Sequence, residues 1–400
     1  MTESYDIAVI GNGMIGAAAA RHLSATGATV AAIGPHEPEN WKTHSGVFAS
    51  HYDQGRITRI IDPDAIWGTL GKRSMERYSE IEEKSGIRFH GAAGCLRVSP
   101  DTTEPNDTLL QAEAVGRQHD ASYTVEHTDE GLNEIFPFLH FPEGSTALWE
   151  RGGAGYVNPR QLVQAQLAIA AKQGTTIIPE AVVALNSQNG IVTLSTAANR
   201  QLTAKQVLIS AGAYSGWLTP QPLVYQRKAV TVVLAALAPA EAERLRAIPS
   251  IIYRLANHPN LFSIYSLPPV RYPDGKIYLK IGGPLHEPIL LDSPTAIQDW
   301  FHGDGNPVEA TALREVLFAM VPNLQADAVH SRPCVVTYTE HGYPYIGQVA
   351  EQIYVATGGC GSAAKSSDEI GRIGALLVEN HGGWQYDLPA THFTVCFQPS

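Results

Sequence analysis

The spacing Gly11-Asn-Gly13-Met-Ile-Gly16, close to the N-terminus, is the first pattern in the sequence whose residue types could do chemistry. Where a strand turns into a helix, the first glycine permits the tight turn and the second lets the backbone approach a pyrophosphate. The third lets the helix pack closely on the strand. The positive end of the helix dipole then faces the phosphates. The pattern predicts that Gly11, Gly13, Met14, Ile15 and Gly16 bind a dinucleotide.

The elements around this motif supply the context that it needs. Residues 6–10 are an apolar run typical of a buried parallel strand, and residues 17–23 are good helix formers. Gly27 is predicted to end that helix, and the apolar pattern of residues 29–33 predicts the next strand. The order strand, turn, helix, strand favours nucleotide binding over a glycine turn that only joins two elements.

One expected residue of the dinucleotide motif is missing. The second strand usually ends on Asp or Glu, whose carboxylate binds a ribose hydroxyl. Here Gly34 and Pro35 follow that strand instead. Either Glu37 reaches the ribose or backbone groups alone hold it, and the sequence leaves both open.

Four later segments carry a family resemblance. They are residues 50–59 (SHYDQGRITR), residues 206–218 (QVLISAGAYSGWL), residues 332–334 (RPC), and residues 342–358, which include GYPYIG and IYVATG. Taken together and in this order, they resemble monomeric sarcosine oxidase and its relatives in the D-amino-acid oxidase superfamily. The resemblance runs from residue 5 to residue 380.

The resemblance implies FAD, rather than NAD, as the cofactor. It also implies a thioether between Cys334 and the 8-methyl carbon of the flavin, formed by a thiolate that the neighbouring Arg332 would help to stabilise. Further contacts to the cofactor are implied at Ser50, Arg56, Val182, Gly212, Gly361, Ser362 and Lys365.

The same resemblance implies catalytic roles for four side chains. Arg59, helped by Lys365, would bind a substrate carboxylate, because a guanidinium can form two parallel hydrogen bonds with one. Lys280 would lie over the flavin and stabilise the superoxide that forms when O2 takes its first electron. Tyr265 would line the substrate pocket. The implied reaction is oxidation of a C–N bond to an imine, with O2 reduced to hydrogen peroxide.

Each of these residues also has a simpler interpretation. Arg56 and Arg59 fit a solvated face, and Lys365 fits a surface lysine just before a helix that the pattern predicts at residues 366–380. Lys280 fits an outward-facing position on a half-exposed strand. Cys334 fits an inert core thiol, in which case FAD would bind without a covalent link.

A return of the β/α pattern in the middle of the chain indicates how the chain is divided. Asn158 and Pro159 fit the cap and first turn of a helix that leads to a strand at residues 175–178. We predict an α/β protein with a Rossmann-like FAD-binding domain assembled from separated segments, and a mixed-sheet substrate domain. The FAD-binding domain is predicted from residues 1–88, 152–222 and 332–400, and the substrate domain from residues 89–151 and 223–331.

The charge and the cysteine content of the chain limit which ligands and partners are expected. The formal net charge of −11 and a pI near 5.7 argue against nucleic acid as a ligand. The four cysteines lie far apart and form no CxxC pair, so neither a disulfide framework nor a metal site is predicted. Neither a signal-peptide pattern nor a membrane-spanning apolar run is recognised. We expect a cytoplasmic monomer or small homo-oligomer whose partners are a small-molecule amine or amino acid and O2.

The identity of the substrate is left open. Tyr52 and Pro284 stand where sarcosine oxidases often have histidine, which argues against sarcosine itself. A bulkier secondary amine, a cyclic imino acid or an N-substituted amino acid would fit. Two other functions remain compatible with the sequence: a flavin dehydrogenase that uses another electron acceptor, and a flavin-binding subunit of a larger assembly.

Overall fold

The computed structural model of the protein describes residues 3–104 and 107–399. Two eight-stranded sheets and one three-stranded sheet organise this part of the chain. The helices lie at Met14–Ser24, Ala65–Met75, Tyr78–Ser85, Leu109–Gln118, Asn133–Ile135, Pro159–Lys172, Ser215–Leu218, Pro239–Arg244, Pro294–His302, Pro307–Met320 and Ala363–Glu379. In the described part of the chain, no helix is both long and apolar enough to cross a membrane.

The first sheet is built around five parallel strands from three distant parts of the chain. In spatial order these are Thr176–Ile178, Val30–Ile33, Glu3–Ile10, Gln201–Ile209 and Ile353–Thr357. Strands Val182–Gln188, Ile191–Thr196 and Tyr345–Ala350 extend the sheet in antiparallel pairs.

Small residues allow the helices to pack closely on this sheet. Helix Met14–Ser24 presents a run of four alanines, residues 17–20, that is fully buried. Helix Ala363–Glu379 packs against it at Gly371, where a Cβ atom would lie 2.7 Å from the Ala18 side chain. Close packing of this kind removes apolar surface from water, and each Å² that is buried stabilises the fold by about 25 cal/mol. This burial holds both helices against the sheet.

The second sheet is mixed. Its strands, in spatial order, are Ala326–Thr339, Tyr225–Leu237, Ile277–Gly282, Ser263–Arg271, Ser250–Arg254, Cys95–Ser99, Thr146–Glu150 and Tyr123–His127. Neighbours are antiparallel except for the parallel pair Ser250–Arg254 and Cys95–Ser99. Helix Pro307–Met320 packs its buried apolar side chains against this sheet. The predicted fold class, a Rossmann-like domain of separated segments with a mixed-sheet domain, is confirmed.

Two features differ in detail from the sequence prediction. The C-terminal helix begins at Ala363 rather than near residue 366, so Lys365 lies within its first turn. Strand Ala326–Thr339 of the second sheet runs through the predicted domain limit at residues 331 and 332. The end of this strand approaches the first sheet: the Thr337 carbonyl accepts at 2.9 Å from the N–H of Cys360, which lies just after strand Ile353–Thr357. The proposed domain limits themselves stay a prediction.

The small third sheet joins Arg56–Thr58 and His90–Gly91 to the central strand Gly155–Val157. Its first strand carries the arginine segment that the sequence analysis singled out. The sheet therefore fixes the backbone of Arg56, and Arg59 follows directly after this strand.

Candidate functional site

A large cavity lies at the carboxyl ends of the parallel strands. Gly11, Gly34, Ser210 and Gly358 each come directly after one of these strands, and all four line the cavity. Its empty space, with the solvent of the open mouth included, is about 1470 Å³. Ligands of open α/β sheets bind at this edge, so the cavity suits a dinucleotide.

The glycines of the N-terminal motif have different roles here. A Cβ atom at Gly16 would lie 1.8 Å from the Gly11 carbonyl oxygen, so this glycine permits the contact between strand and helix. At Gly13 the nearest atom would be His51 Nδ1 at 3.8 Å, which leaves the space open to a ligand. Gly13 also caps helix Met14–Ser24 without a side-chain hydrogen bond, so the first N–H groups of the helix remain available to phosphate oxygens.

Unpartnered polar atoms in the cavity support this assignment. Asn12 Oδ1 and Ser210 Oγ are buried without a hydrogen-bond partner among the described residues, and both residues line the cavity. Because buried polar groups almost always have a partner, these atoms fit a polar ligand. With the open position at Gly13, they match the nucleotide part of FAD.

The missing acidic residue after the second strand has a steric explanation. A Cβ atom at Gly34 would lie 2.5 Å from the Asn12 backbone nitrogen, so residues with a side chain do not fit there. Both carboxylate oxygens of Glu37 accept from Arg160 at 2.6 Å, and Glu37 is not among the cavity-lining residues. Of the two possibilities for the ribose, the geometry favours backbone groups.

At the second-sheet side of the cavity, a thiol lies beside a cation. Strand Ala326–Thr339 carries Cys334, which is buried and lines the cavity. Arg56 donates to Cys334 Sγ at 3.4 Å and to the Ser50 carbonyl at 3.0 Å. The sequence predicts Arg332 as the neighbouring cation, and the structure adds Arg56 in direct contact with the sulfur.

Lys280 is buried rather than directed into the cavity. Its ammonium donates to the Asp53 carboxylate and, at 2.9 Å, to the Gly55 carbonyl. The same carboxylate is paired with Arg56 and accepts from the Tyr272 hydroxyl at 2.9 Å. Burial, and then the nearby Arg56, lower the pKa of Lys280 well below its usual range, whereas the contact with Asp53 favours the charged form.

Arg59 and Lys365 lie together, as two cations expected to share one anion would. The anion that they share belongs to the protein: Asp62 Oδ2 accepts from Arg59 at 2.8 Å and lies 3.3 Å from Lys365 Nζ. Lys365 also donates to the Trp67 carbonyl at 2.6 Å. Burial alone would raise the pKa of the Asp62 carboxyl, but Lys365 and Arg59 outweigh it and lower that pKa to about 2.

The structure therefore divides the predicted site residues into two groups. Those lining the cavity are Gly11, Gly13, Met14, Ile15, Ser50, Arg56, Val182, Gly212, Cys334 and Gly361. Those that do not line it are Gly16, Arg59, Tyr265, Lys280, Ser362 and Lys365. Tyr265 lies nearer to Lys280, with its ring centre 5.5 Å from Lys280 Nζ. The four catalytic candidates thus lie in two clusters, Arg59 with Lys365 at Asp62 and Lys280 with Tyr265 near Asp53.

Three residues near the site, Asp53, His51 and Asp62, have no role predicted from the sequence. Asp53 and His51 lie in residues 50–59, the segment that carries the family resemblance, and Asp62 lies three positions after Arg59. Their closeness in sequence to Arg56 and Arg59 is the one feature that could have indicated ion pairs with these arginines. Burial lowers the pKa of His51 to about 3, which keeps this cavity-lining side chain neutral. Among the described residues, no group of three or more His, Cys, Asp or Glu side chains could hold a metal ion.

Comparisons with known proteins agree with this geometry. The chain is 31% identical over 218 residues to the monomeric sarcosine oxidase of Streptomyces avermitilis, covering 54% of this chain and 53% of that protein. It is 23% identical over 224 residues to the N-methyl-L-tryptophan oxidase of Yersinia pestis, covering 54% and 56%. The matched region thus spans about half the length of these relatives.

Solved structures match the fold over the whole chain. NikD, described as an unusual amino acid oxidase essential for nikkomycin biosynthesis, superposes with a TM-score of 0.80 at 19% identity, covering 100% of this chain and 99% of that one. Glycine oxidase from Geobacillus kaustophilus superposes with a TM-score of 0.77 at 21% identity, covering 100% of both chains. The DAO family model, FAD dependent oxidoreductase, matches residues 6–377. With its glycine turn, cavity and strand order, the chain belongs to this family of FAD-dependent oxidoreductases.

Proposed function

We propose that the protein oxidises the C–N bond of a secondary amine, or of an N-substituted or cyclic amino acid, to an imine and reduces O2 to hydrogen peroxide. The observation that carries this proposal is a single cavity that joins the glycine turn to the contact between Cys334 and Arg56. FAD, when bound there, supplies the acceptor for a hydride equivalent. The relatives named for sarcosine and N-methyl-L-tryptophan support an amine as the electron donor.

Cys334 is proposed to hold the flavin through a thioether, in which the sulfur would replace one hydrogen of the 8-methyl group and O2 would take up the two electrons and two protons released. A thiolate is the reactive form of cysteine, and an adjacent guanidinium stabilises it. Arg56 is well placed for this because its guanidinium is held from two sides, by the Asp53 carboxylate and the Ser50 carbonyl. Noncovalent FAD in the same cavity is the alternative outcome.

Lys280 is proposed to favour electron transfer to O2. A fixed positive charge in a buried site stabilises a developing anion more than the same charge in water would. The Asp53 contact favours that charge and opposes the cost of burial. Tyr265, beside Lys280, is proposed as part of the pocket for the amine.

Separate observation of the two half-reactions tests this function. Purified protein with bound FAD would be mixed anaerobically with a panel of secondary amines and N-methyl amino acids, and bleaching of the visible flavin band would be recorded. Reoxidation in air should then release one hydrogen peroxide per flavin. If no compound in a broad panel bleaches the flavin while dithionite does, the proposed reaction is wrong.

A flavin dehydrogenase is a second candidate, and the placement of Lys280 favours considering it. This lysine is engaged by Asp53 and lies outside the cavity lining. Bleaching by an amine, followed by slow reoxidation in air but rapid reoxidation by a quinone or dye, would identify this alternative.

A further inference from the structure

A row of side chains on the second sheet faces the cavity. Cys334, Val336 and Tyr338 occupy alternate positions of strand Ala326–Thr339, so their side chains point to the same face of the sheet. Cys334 and Val336 line the cavity. The Tyr338 hydroxyl oxygen would lie 3.2 Å from a Cβ atom at Gly361, another residue that lines it. The row therefore leads from the proposed flavin link to the cavity wall beside Gly361.

Lys228 joins this row from the neighbouring strand. It is paired directly with Val336 across the antiparallel strands, and directly opposed residues point to the same face. Its ammonium lies 4.1 Å from the centre of the Tyr338 ring, which is within the range of a cation–π interaction. Alternate positions of a strand are about 7 Å apart, so Lys228 is one such step beyond Cys334 along the sheet.

The charge of Lys228 is not balanced by a carboxylate in the described part of the chain, where the Tyr338 ring is the recorded partner of its ammonium. By contrast, the four cations proposed for the site share the carboxylates of Asp53 and Asp62. The segment packed beside Lys228 carries Glu287 and Asp292, but both are exposed and neither forms an ion pair with it.

Apolar groups surround Lys228 on both sides. Val336 is its neighbour on one strand, and Leu290 is its partner in an isolated bridge on the other side. Leu290 is 55% exposed, whereas Lys228 and Tyr338 are half-buried. A half-buried ammonium loses part of its hydration, and its attraction to an anion is stronger than in bulk water. These surroundings therefore suit an anion carried on an apolar chain.

We propose that Lys228 is a specificity-determining residue that binds a carboxylate of the substrate several bonds away from the reacting C–N bond. Lys228 and Tyr338 are not part of the cavity lining, so such a group would extend past Gly361 to reach the ammonium. The substrate class is then a secondary amine, or an N-substituted amino acid, with an acidic side chain. The statement about the substrate rests on the proposed amine oxidation, whereas the statement about anion binding does not.

Titration with dicarboxylates tests the anion statement without turnover. Succinate, glutarate and adipate would each be compared with the corresponding monoamide by isothermal calorimetry of the FAD-loaded protein, because the three lengths reach different distances. At least one dicarboxylate should bind about 10-fold more tightly than its monoamide, the effect of one charged contact, and Lys228→Met should abolish this preference. A preference that the variant retains, or no preference at any length, would overturn the proposal.

Lys276→Met is the matched control. Lys276 is exposed and precedes strand Ile277–Gly282, which pairs there with the end of strand Tyr225–Leu237 that is remote from Lys228. The substitution removes the same charge from the same sheet, so dicarboxylate affinity should match the wild type. An equal loss in both variants would show that overall charge, and not the place of Lys228, is responsible. Lys228→Gln provides the same comparison if the methionine variant does not retain FAD.

Substrate pairs that differ only at the end of the side chain test the substrate statement. N-methylaspartate with N-methylasparagine, and N-methylglutamate with N-methylglutamine, would be compared by the concentration dependence of anaerobic flavin bleaching. In at least one pair the acid should half-saturate the wild type at an about 10-fold lower concentration, and Lys228→Met should remove this difference. The difference should lie in the half-saturating concentration rather than the limiting rate, because the contact is remote from the reacting bond.

The outcomes separate this inference from the proposed function. Equal half-saturation by acid and amide in both pairs, with bleaching observed, would refute the statement about the substrate and leave amine oxidation intact. Dicarboxylate binding that depends on Lys228, without bleaching by any amine, would support the anion statement and refute the proposed reaction.

Discussion

The guanidinium of Arg56 donates to the sulfur of Cys334 across 3.4 Å, and the two residues come from different sheets. Arg56 begins the small third sheet, whereas Cys334 lies in the long edge strand of the second sheet. The contact therefore exists only in the folded protein. A cation beside the sulfur is the surrounding that the proposed covalent flavin link requires.

Loss of the Arg56 charge should slow covalent attachment of FAD. Hydrogen bonds to charged groups contribute about 1.5–3 kcal/mol, so Arg56→Met should slow attachment by about 10- to 100-fold. Apo protein would be incubated with FAD and precipitated with acid at intervals, and flavin in the pellet would be measured. Cys334→Ser should leave all flavin in the supernatant. A yellow pellet from that variant would show that another residue, and not Cys334, carries the covalent link.

Lys280 and Asp53 should affect the oxidative half-reaction selectively. Lys280→Met should keep anaerobic bleaching by substrate and slow reoxidation by O2 by about 10²–10³-fold, the effect of removing one preorganised charge. Stopped-flow mixing of reduced protein with O2 gives this rate. Unchanged reoxidation would contradict the role proposed for Lys280.

Asp53→Asn should convert the same step into a pH-dependent one. Burial and Arg56 already lower the pKa of Lys280, and loss of the carboxylate removes the contact that favours the ammonium. The variant should therefore reoxidise slowly at high pH and recover as the pH falls, because protonation restores the charge. The wild type should show a weaker dependence over the same range, and equal profiles would show that Asp53 only stabilises the fold.

Two glycines of the N-terminal motif should respond differently to the same substitution. Gly13→Ala places a methyl group in open space beside His51, so the apo protein should keep its thermal midpoint and lose affinity for FAD. Gly16→Ala forces a methyl group against a backbone carbonyl and should destabilise even the apo protein by about 1–3 kcal/mol. Calorimetry of apo protein and FAD titration separate the two effects. Equal loss of apo stability in both variants would contradict the division of roles.

Local patterns predicted the nucleotide-binding half of the fold because each of its elements is encoded in adjacent residues. The strand before Gly11, the helix after it and the helix that begins at Pro159 lie within a few residues of their predicted positions. What the sequence could not show was pairing across long separations. Lys280 with Asp53 is such a pair, and the burial of Lys365 depends on the helix that begins at Ala65. Residue types alone therefore indicated free cations where the fold supplies a partner.

Glu309 allows a prediction about stability outside the site. It lies in the first turn of helix Pro307–Met320, is 1% exposed, and accepts from the Thr231 backbone N–H at 3.1 Å. Burial raises the pKa of its carboxyl from 4.5 to about 7. Because the folded state holds this proton more tightly than the unfolded state, its contribution to stability is complete below about pH 4.5 and is lost as the pH rises through about 7.

Glu309→Gln should remove this loss, since glutamine stays neutral and keeps an acceptor for Thr231. The pKa difference corresponds to about 3 kcal/mol at most, and the helix N-terminus offsets part of it, so we expect a gain of about 1–2 kcal/mol at about pH 8.5. This corresponds to a Tm higher by about 1–3 °C, with little difference at about pH 5, because both side chains are then neutral. Glu315→Gln, at an exposed position on the same helix, should leave the Tm unchanged at both pH values. A Tm gain that is equal at low and high pH would show that Glu309 is ionised throughout this range in the folded protein.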